Sequence, residues 1–214
     1  MSEKCYIFLA GEIEDYNFIK QYNLADGVVI CADGGYRHAE NLGITPQYLV
    51  GDMDSIGCEV AETEQMKILS CDPVDKVLTD GQMAVRLAKG CGCDEVMIFG
   101  GTDKGASSRF DHVLGNVWLL KDAQVLGLKA KIVERDCEII LIDKYTEIER
   151  KNYKYLSFLP FSKSVKGLTL TGVKYPLNKA KITQSVYFTM SNEFADDVAI
   201  VNVKKGEMLA IMAE

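Results

Sequence analysis
The chain has 214 residues, 48% hydrophobic and 26% charged, with a formal net charge of −7. That balance is that of a globular protein long enough to bury a real core, and it excludes a disordered or fibrous chain. The charge is uneven: residues 1–135 hold 13 basic and 21 acidic residues, residues 136–214 hold 11 and 10, and no basic stripe exists to grip a nucleic-acid backbone.

The N-terminus opens on one apolar run, CYIFLAG (5–11), followed by three acids. The run is too short for a membrane span and its flanks are wrong for a secretion signal, so a cytoplasmic protein is expected. There are seven cysteines (5, 31, 58, 71, 91, 93, 137), none in C-x-x-C spacing, and only His38 and His112 beside them. This favours buried free thiols in a reducing compartment over a zinc site.

Short apolar runs continue at GVVICA (27–32), QYLV (47–50), MKILS (66–70), EVMIFG (95–100) and KAKIVE (129–134). Helix-like segments separate them: DYNFIKQY, YRHAENLG, TDGQMAVRLAKG and DHVLGNVWLLKDAQVLG. Strand–helix alternation predicts an α/β domain with a mainly parallel sheet over 1–135. Thr79 with Gln82 reads as a capping box, Gly90 as that helix's stop, and Gly127 as the stop of a helix opening near Asp111. Trp118 lies on the apolar stripe of the last helix and is expected in the core.

From 136 the pattern becomes short and β-rich: EIILID, YKYLSFLPF, VKGLTLTG, ITQSVYFTMS, DVAIVNV and EMLAIM. A small antiparallel β-sandwich over 136–214 is expected.

Ligands of open α/β sheets sit beyond the carboxyl ends of the strands. Residues following the apolar runs there include Asp33-Gly34-Gly35, then Gly51-Asp52-Met53-Asp54, then Lys76 leading to Thr79-Asp80, then 101–112 with Arg109 and Asp111. Each taken alone has a bland explanation as a turn, a helix cap or a surface charge. Together they put an aspartate on each of four loops at one rim. Carboxylates so gathered repel one another unless a cation joins them, and Mg2+ with phosphate oxygens suits such ligands. Asp52 and Asp54, two apart in an extended strand, point the same way and can share a metal. Lys76 and Arg109 supply positive charge for phosphate. GGTDKGAS has the glycine spacing of a P-loop, but Ala106-Ser107 replace the Lys-Ser/Thr it requires.

In order and spacing, CADGG, GDMDSI, K-x-x-TD (Lys76, Thr79, Asp80), SRFDH, GLTLTGVKYPL and SNEF resemble the thiamine pyrophosphokinase family. The resemblance implies a two-domain homodimer that takes ATP and thiamine, with Mg2+, and makes AMP and thiamine diphosphate at the dimer interface. It implies an α/β nucleotide- and Mg-binding catalytic domain, 1–135, and a β-sandwich thiamine-binding domain, 136–214. It further implies that Asp33, Asp52, Asp54 and Asp80 form the catalytic cluster, with Asp52, Asp54 and Asp80 on the metal. Gly34, Lys76, Thr79, Arg109 and Asp111 would bind ATP, and Ser191 with Asn192 would bind thiamine. Val77 stands where the family usually has an aspartate, and Ser107-Ser108 where it usually has two glycines. The alternatives are a non-catalytic module binding thiamine diphosphate or a nucleotide, and another Mg-dependent phosphotransferase or phosphatase. Neither nucleic acid nor a membrane is expected as a partner.

Overall fold
A computed structural model of the chain describes residues 3–53, 61–70, 77–102 and 109–214. They fall into two compact units, Met1–Arg135 and Asp136–Glu214.

The first unit is built on strands β1 (Lys4–Phe8), β2 (Gly27–Ala32), β3 (Tyr48–Val50), β4 (Lys67–Leu69), β5 (Glu95–Phe99) and β6 (Lys129–Val133). They lie in the order β4-β3-β2-β1-β5-β6, and every pairing among them is parallel. The apolar runs become strands because a parallel sheet is covered on both faces, and β1, β2 and β5 are buried along most of their length. Helices α1 (Tyr36–Leu42), α2 (Asp80–Gly90) and α3 (Phe110–Val125) complete the unit. The chain builds outward from β1 to β4, then α2 carries it back so that β5 joins the other side of β1. The carboxyl ends of β1 and β5 are therefore the switch point of the sheet, where ligands of this architecture bind.

One face of the sheet is aromatic. Phe8 and Phe99 stack at 5.2 Å, and the rings of Phe18 and Tyr22 meet Phe99 edge-on. Fully burying Phe8 and Phe99 contributes about 1.5–3 kcal/mol each. That packing explains a departure from expectation: DYNFIKQY forms only a 3-10 helix, Asn17–Gln21, since its aromatic residues are held against the sheet rather than along one helical stripe.

The helix caps follow the sequence closely. Thr79 and Gln82 form the expected capping box at the start of α2. The stop is two residues later than predicted: Gly90 is still helical, and Gly92 supplies the left-handed turn at φ +83°. Gly127 ends α3 as expected, at φ +74°. Trp118 corrects the reading of α3, being 55% exposed while Leu119, Leu120 and Ala123 form the buried face. The helix carries apolar residues most of the way round, so its composition does not say which stripe faces inward.

The second unit contains β7 (Cys137–Ile142), β8 (Thr146–Glu149), β9 (Tyr155–Pro160), β10 (Ser164–Thr171), β11 (Leu177–Thr183), β12 (Val198–Asn202) and β13 (Met208–Ala213). β7, β13 and β9 pair antiparallel in that order, and β11-β10-β12-β8 form a four-stranded antiparallel sheet. Alternate residues turn inward, as in the buried Met208, Ala210 and Met212 of β13, and they meet Phe158, Leu168, Leu170 and Val201 in one core. The α/β and β-sandwich architecture is that read from the sequence. Two details differ: β8 was not anticipated, and the run ITQSVYFTMS leaves its strand after Thr183.

Candidate active site
Asp33 is the first residue after β2, where the chain turns sharply through Asp33–Gly35 into α1. The turn is close because a side chain on Gly35 would lie 2.1 Å from the Phe8 carbonyl oxygen, which only glycine avoids. Gly34 is buried beside it, and its carbonyl accepts Arg37 Nε at 3.2 Å. Asp33 itself sits at φ +45°, and its Oδ1 is buried with no hydrogen-bond partner among the described residues. An orphaned buried carboxylate oxygen is costly unless a ligand completes it.

The loop after β3 meets the same point. A methyl group on Gly51 would lie 3.1 Å from Asp33 Cβ and 3.3 Å from both Cγ and Oδ1 of Asp80. Two acidic side chains from different loops thus flank one glycine, and half-buried Asp52 is next in the chain. Met53 follows at φ +65°, a second non-glycine residue with left-handed backbone in this cluster. Such strain persists where surrounding structure enforces it, often at functional sites. Asp80 opens α2 directly after the Thr79 cap, whose hydroxyl accepts Gln82 N–H at 3.2 Å and keeps its own proton to donate.

At the switch point, Leu9 N–H donates to Phe99 O at 2.9 Å and Gly11 N–H to Gly100 O at 3.1 Å, binding the exits of β1 and β5 together. His38, 5% exposed, supports this junction. Its Nε2 lies 2.8 Å from the Gly11 carbonyl, which only accepts, so Nε2 carries the proton. Tyr16 OH then donates to Nδ1 at 2.8 Å and accepts Asn41 Nδ2 at 2.9 Å. Burial lowers the His38 pKa below its ordinary value, with the Arg37 charge adding to it against the Gly11 hydrogen bond. Sequence reading missed this residue. The signal available was a histidine five residues after Asp33.

Arg109 and Asp111 begin α3 and form a fork-to-carboxylate pair, Nε to Oδ1 at 3.3 Å and Nη2 to Oδ2 at 2.6 Å. The pairing lowers the Asp111 pKa and raises that of Arg109. Both are well exposed, at 65% and 63% of their side chains. They stand at the start of α3, the helix that follows β5 in the chain and whose Asn116 Nδ2 donates to the Gly101 carbonyl at 3.0 Å.

In the second unit, Ser191 is exposed at φ +54°, and its N–H donates to Ser157 Oγ at 2.8 Å. Asn192 is 2% exposed and its amide is engaged by the chain itself. Its Oδ1 accepts Tyr175 N–H at 2.9 Å and Glu193 N–H at 3.0 Å, while Nδ2 donates to Tyr175 O at 3.0 Å. The structure thus gives Asn192 the role of holding this loop rather than offering its amide outward. Asp54 and Lys76 lie outside the described residues. Among the described residues no three His, Cys, Asp or Glu side chains gather into a metal-holding group.

Residues 19–132 match the family model described as thiamin pyrophosphokinase, catalytic domain, and residues 141–207 that of the thiamin pyrophosphokinase vitamin B1 binding domain. A thiamine pyrophosphokinase of Bacillus subtilis is 33% identical over 190 residues, covering 85% of each chain. The chain belongs to the thiamine pyrophosphokinase family. A crystal structure of the thiamine pyrophosphokinase from Bacillus subtilis superposes with a TM-score of 0.83 at 28% identity, covering 99% of both chains. The thiamin pyrophosphokinase from Geobacillus thermodenitrificans, at 24% identity and TM-score 0.82 over 99% of this chain and 97% of its own, shares the fold. Membership of the thiamine pyrophosphokinases accounts for the order of the motifs. The cluster of Asp33, Gly51 and Asp80 is a property of this chain's own geometry.

Proposed function
We propose that this chain transfers the diphosphoryl group of ATP to the hydroxyl of thiamine, releasing AMP and thiamine diphosphate. The observation that carries the reading is the convergence of Asp33 and Asp80 on Gly51 beside Asp52, in a chain of this family. The donor set is all oxygen and like-charged, and it includes the orphaned Asp33 Oδ1, so it fits a hard divalent cation. Asp52 and Asp80, with Asp54, would hold Mg2+, which when bound neutralises phosphate charge.

The thiamine hydroxyl oxygen bonds to the β-phosphorus, the bond from that phosphorus to the α-phosphate oxygen breaks, and AMP leaves. The hydroxyl proton passes to a carboxylate of the Asp33, Asp52, Asp54, Asp80 cluster. No covalent enzyme intermediate is needed, so positioning and electrostatics do the catalysis. Arg109 presents its guanidinium to phosphate oxygens while Asp111 holds its fork in place. Lys76 adds a second positive charge, Thr79 a hydroxyl donor, and Gly34 room for close approach. Ser191 meets thiamine, with Asn192 fixing its loop.

Two further parts of the proposal rest on exposed and buried surfaces. Phe110, Leu114, Trp118 and Val125 form an exposed apolar stripe on α3, and Val186, Tyr187, Phe188 and Met190 are exposed in the second unit. Apolar surface of this kind suits a homodimer with its active site at the interface. Free thiols at Cys5, Cys31, Cys91, Cys93 and Cys137 suit the cytoplasm. Among the described residues no helix is long and apolar enough to cross a membrane.

The test is incubation with ATP, MgCl2 and thiamine. AMP together with thiamine diphosphate is expected. ADP would make the chain a monophosphate kinase, and no nucleotide product would make it a binding module.

A further inference from the structure
The last residue quoted in the run KAKIVE is a buried acid that the proposed chemistry does not use. Glu134 directly follows β6 and is 6% exposed. Its Oε1 accepts two consecutive peptide N–H groups, Gly101 at 2.8 Å and Thr102 at 3.0 Å. These residues leave the carboxyl end of β5, on the switch-point side of the sheet. From the other side, Asn116 Nδ2 of α3 donates to the Gly101 carbonyl at 3.0 Å. Gly101 is also pressed against β6, since a methyl group there would lie 3.0 Å from Ile132 Cγ2.

Two successive N–H groups aimed at one point make an anion cradle of the sort that often receives phosphate. Here the chain fills the cradle with its own carboxylate. A buried carboxylate is stable only when charge-assisted hydrogen bonds compensate it, and the bonds it makes are correspondingly strong. Glu134 therefore locks the turn from which the chain runs on to Arg109 and α3, and it leaves these two N–H groups unavailable to a nucleotide.

We propose that Glu134, assisted by Asn116, is a positioning residue for ATP: it fixes Gly101–Thr102 so that the start of α3 meets the triphosphate. This rests on the diphosphoryl-transfer reading above. Glu134→Ala should raise the KM for ATP about tenfold with the KM for thiamine unchanged, as expected when charge-assisted contacts ordering a binding element are lost. Glu134→Gln keeps a carbonyl acceptor and should stay within about threefold of the unsubstituted chain. Asn116→Ala should raise the ATP KM about threefold, in the same direction, for the loss of one neutral hydrogen bond. If Glu134→Ala does not fold, Asn116→Ala carries the test. The proposal is overturned if Asn116→Ala, folded by circular dichroism, leaves the ATP KM unchanged, or if the two KM values rise together. Calorimetric titration with MgATP separates the two readings. An unsubstituted chain that makes no AMP sinks the diphosphoryl-transfer reading, while weaker MgATP binding by Asn116→Ala still supports the positioning role and equal binding overturns it.

Discussion
Asp33 and Asp80 come from loops 47 residues apart in the chain, yet both lie within 3.3 Å of where a methyl group on Gly51 would stand. The glycine is required twice over. Its φ of +137° is one that other residues rarely adopt, and its missing side chain is what lets the two acids approach.

Gly51→Ala should accordingly separate the acids and strain the backbone. We expect turnover to fall by about 100-fold, the scale on which misplaced catalytic contacts act. The melting temperature should fall only modestly, because the substitution lies at the rim of the sheet. Steady-state AMP release checks the first and calorimetry the second, and near-normal turnover would remove Gly51 from the site.

Thr79 contributes stability through its cap as well as position. Thr79→Ala loses the bond from Gln82 N–H and should cost about 1 kcal/mol. In a chain of this length that lowers the melting temperature by about 2–4 °C. Thr79→Ser keeps the oxygen and should recover most of the loss.

His38 sets a pH dependence whose sign follows from its burial. The folded state holds it neutral and lowers its pKa, whereas the unfolded chain titrates near the ordinary value of about 6.5. Above about pH 6.5 both states are neutral and the stabilisation is complete. As the pH falls below that value the unfolded state binds a proton that the folded state resists, so stability declines. Melting temperatures measured between pH 7.5 and 5.0 should show this fall, and His38→Gln should flatten it. An identical slope in the variant would assign the effect to other groups.

The exposed stripe of α3 bears on assembly. Leu114→Glu with Trp118→Glu puts two charges on a face whose residues are 50% and 55% exposed in the single chain. Light scattering should show a dimer become a monomer with helical circular dichroism intact. A dimer that persists would place the interface elsewhere.

Much of the fold could be read from the sequence because its strands are buried apolar runs and its helices carry explicit caps. The strand runs at 27–32 and 95–100, the Thr79–Gln82 box and the turn at Gly127 needed only local information. Trp118 did not yield to that reasoning, since a helix apolar on several sides leaves its inward face to tertiary packing. The acids at the strand ends were legible as a group because strand topology forces those ends onto one rim. Their actual proximity depends on Gly51, whose backbone angle no spacing rule supplies. Glu134 and His38 escaped because each acts by binding backbone groups that only the folded chain brings near. Asn192 shows the converse: its motif marks it for a ligand, while in the folded chain its amide serves the backbone around it.

The central claim is that the β- and γ-phosphates move together from ATP onto thiamine. The direct measurement is transfer of label from ATP carrying 32P at the β-position, with Mg2+ and thiamine present. The label is expected in thiamine diphosphate while unlabelled AMP is released, and chelating the metal should abolish both. Label retained in ADP, with only the γ-phosphate moved, would contradict it.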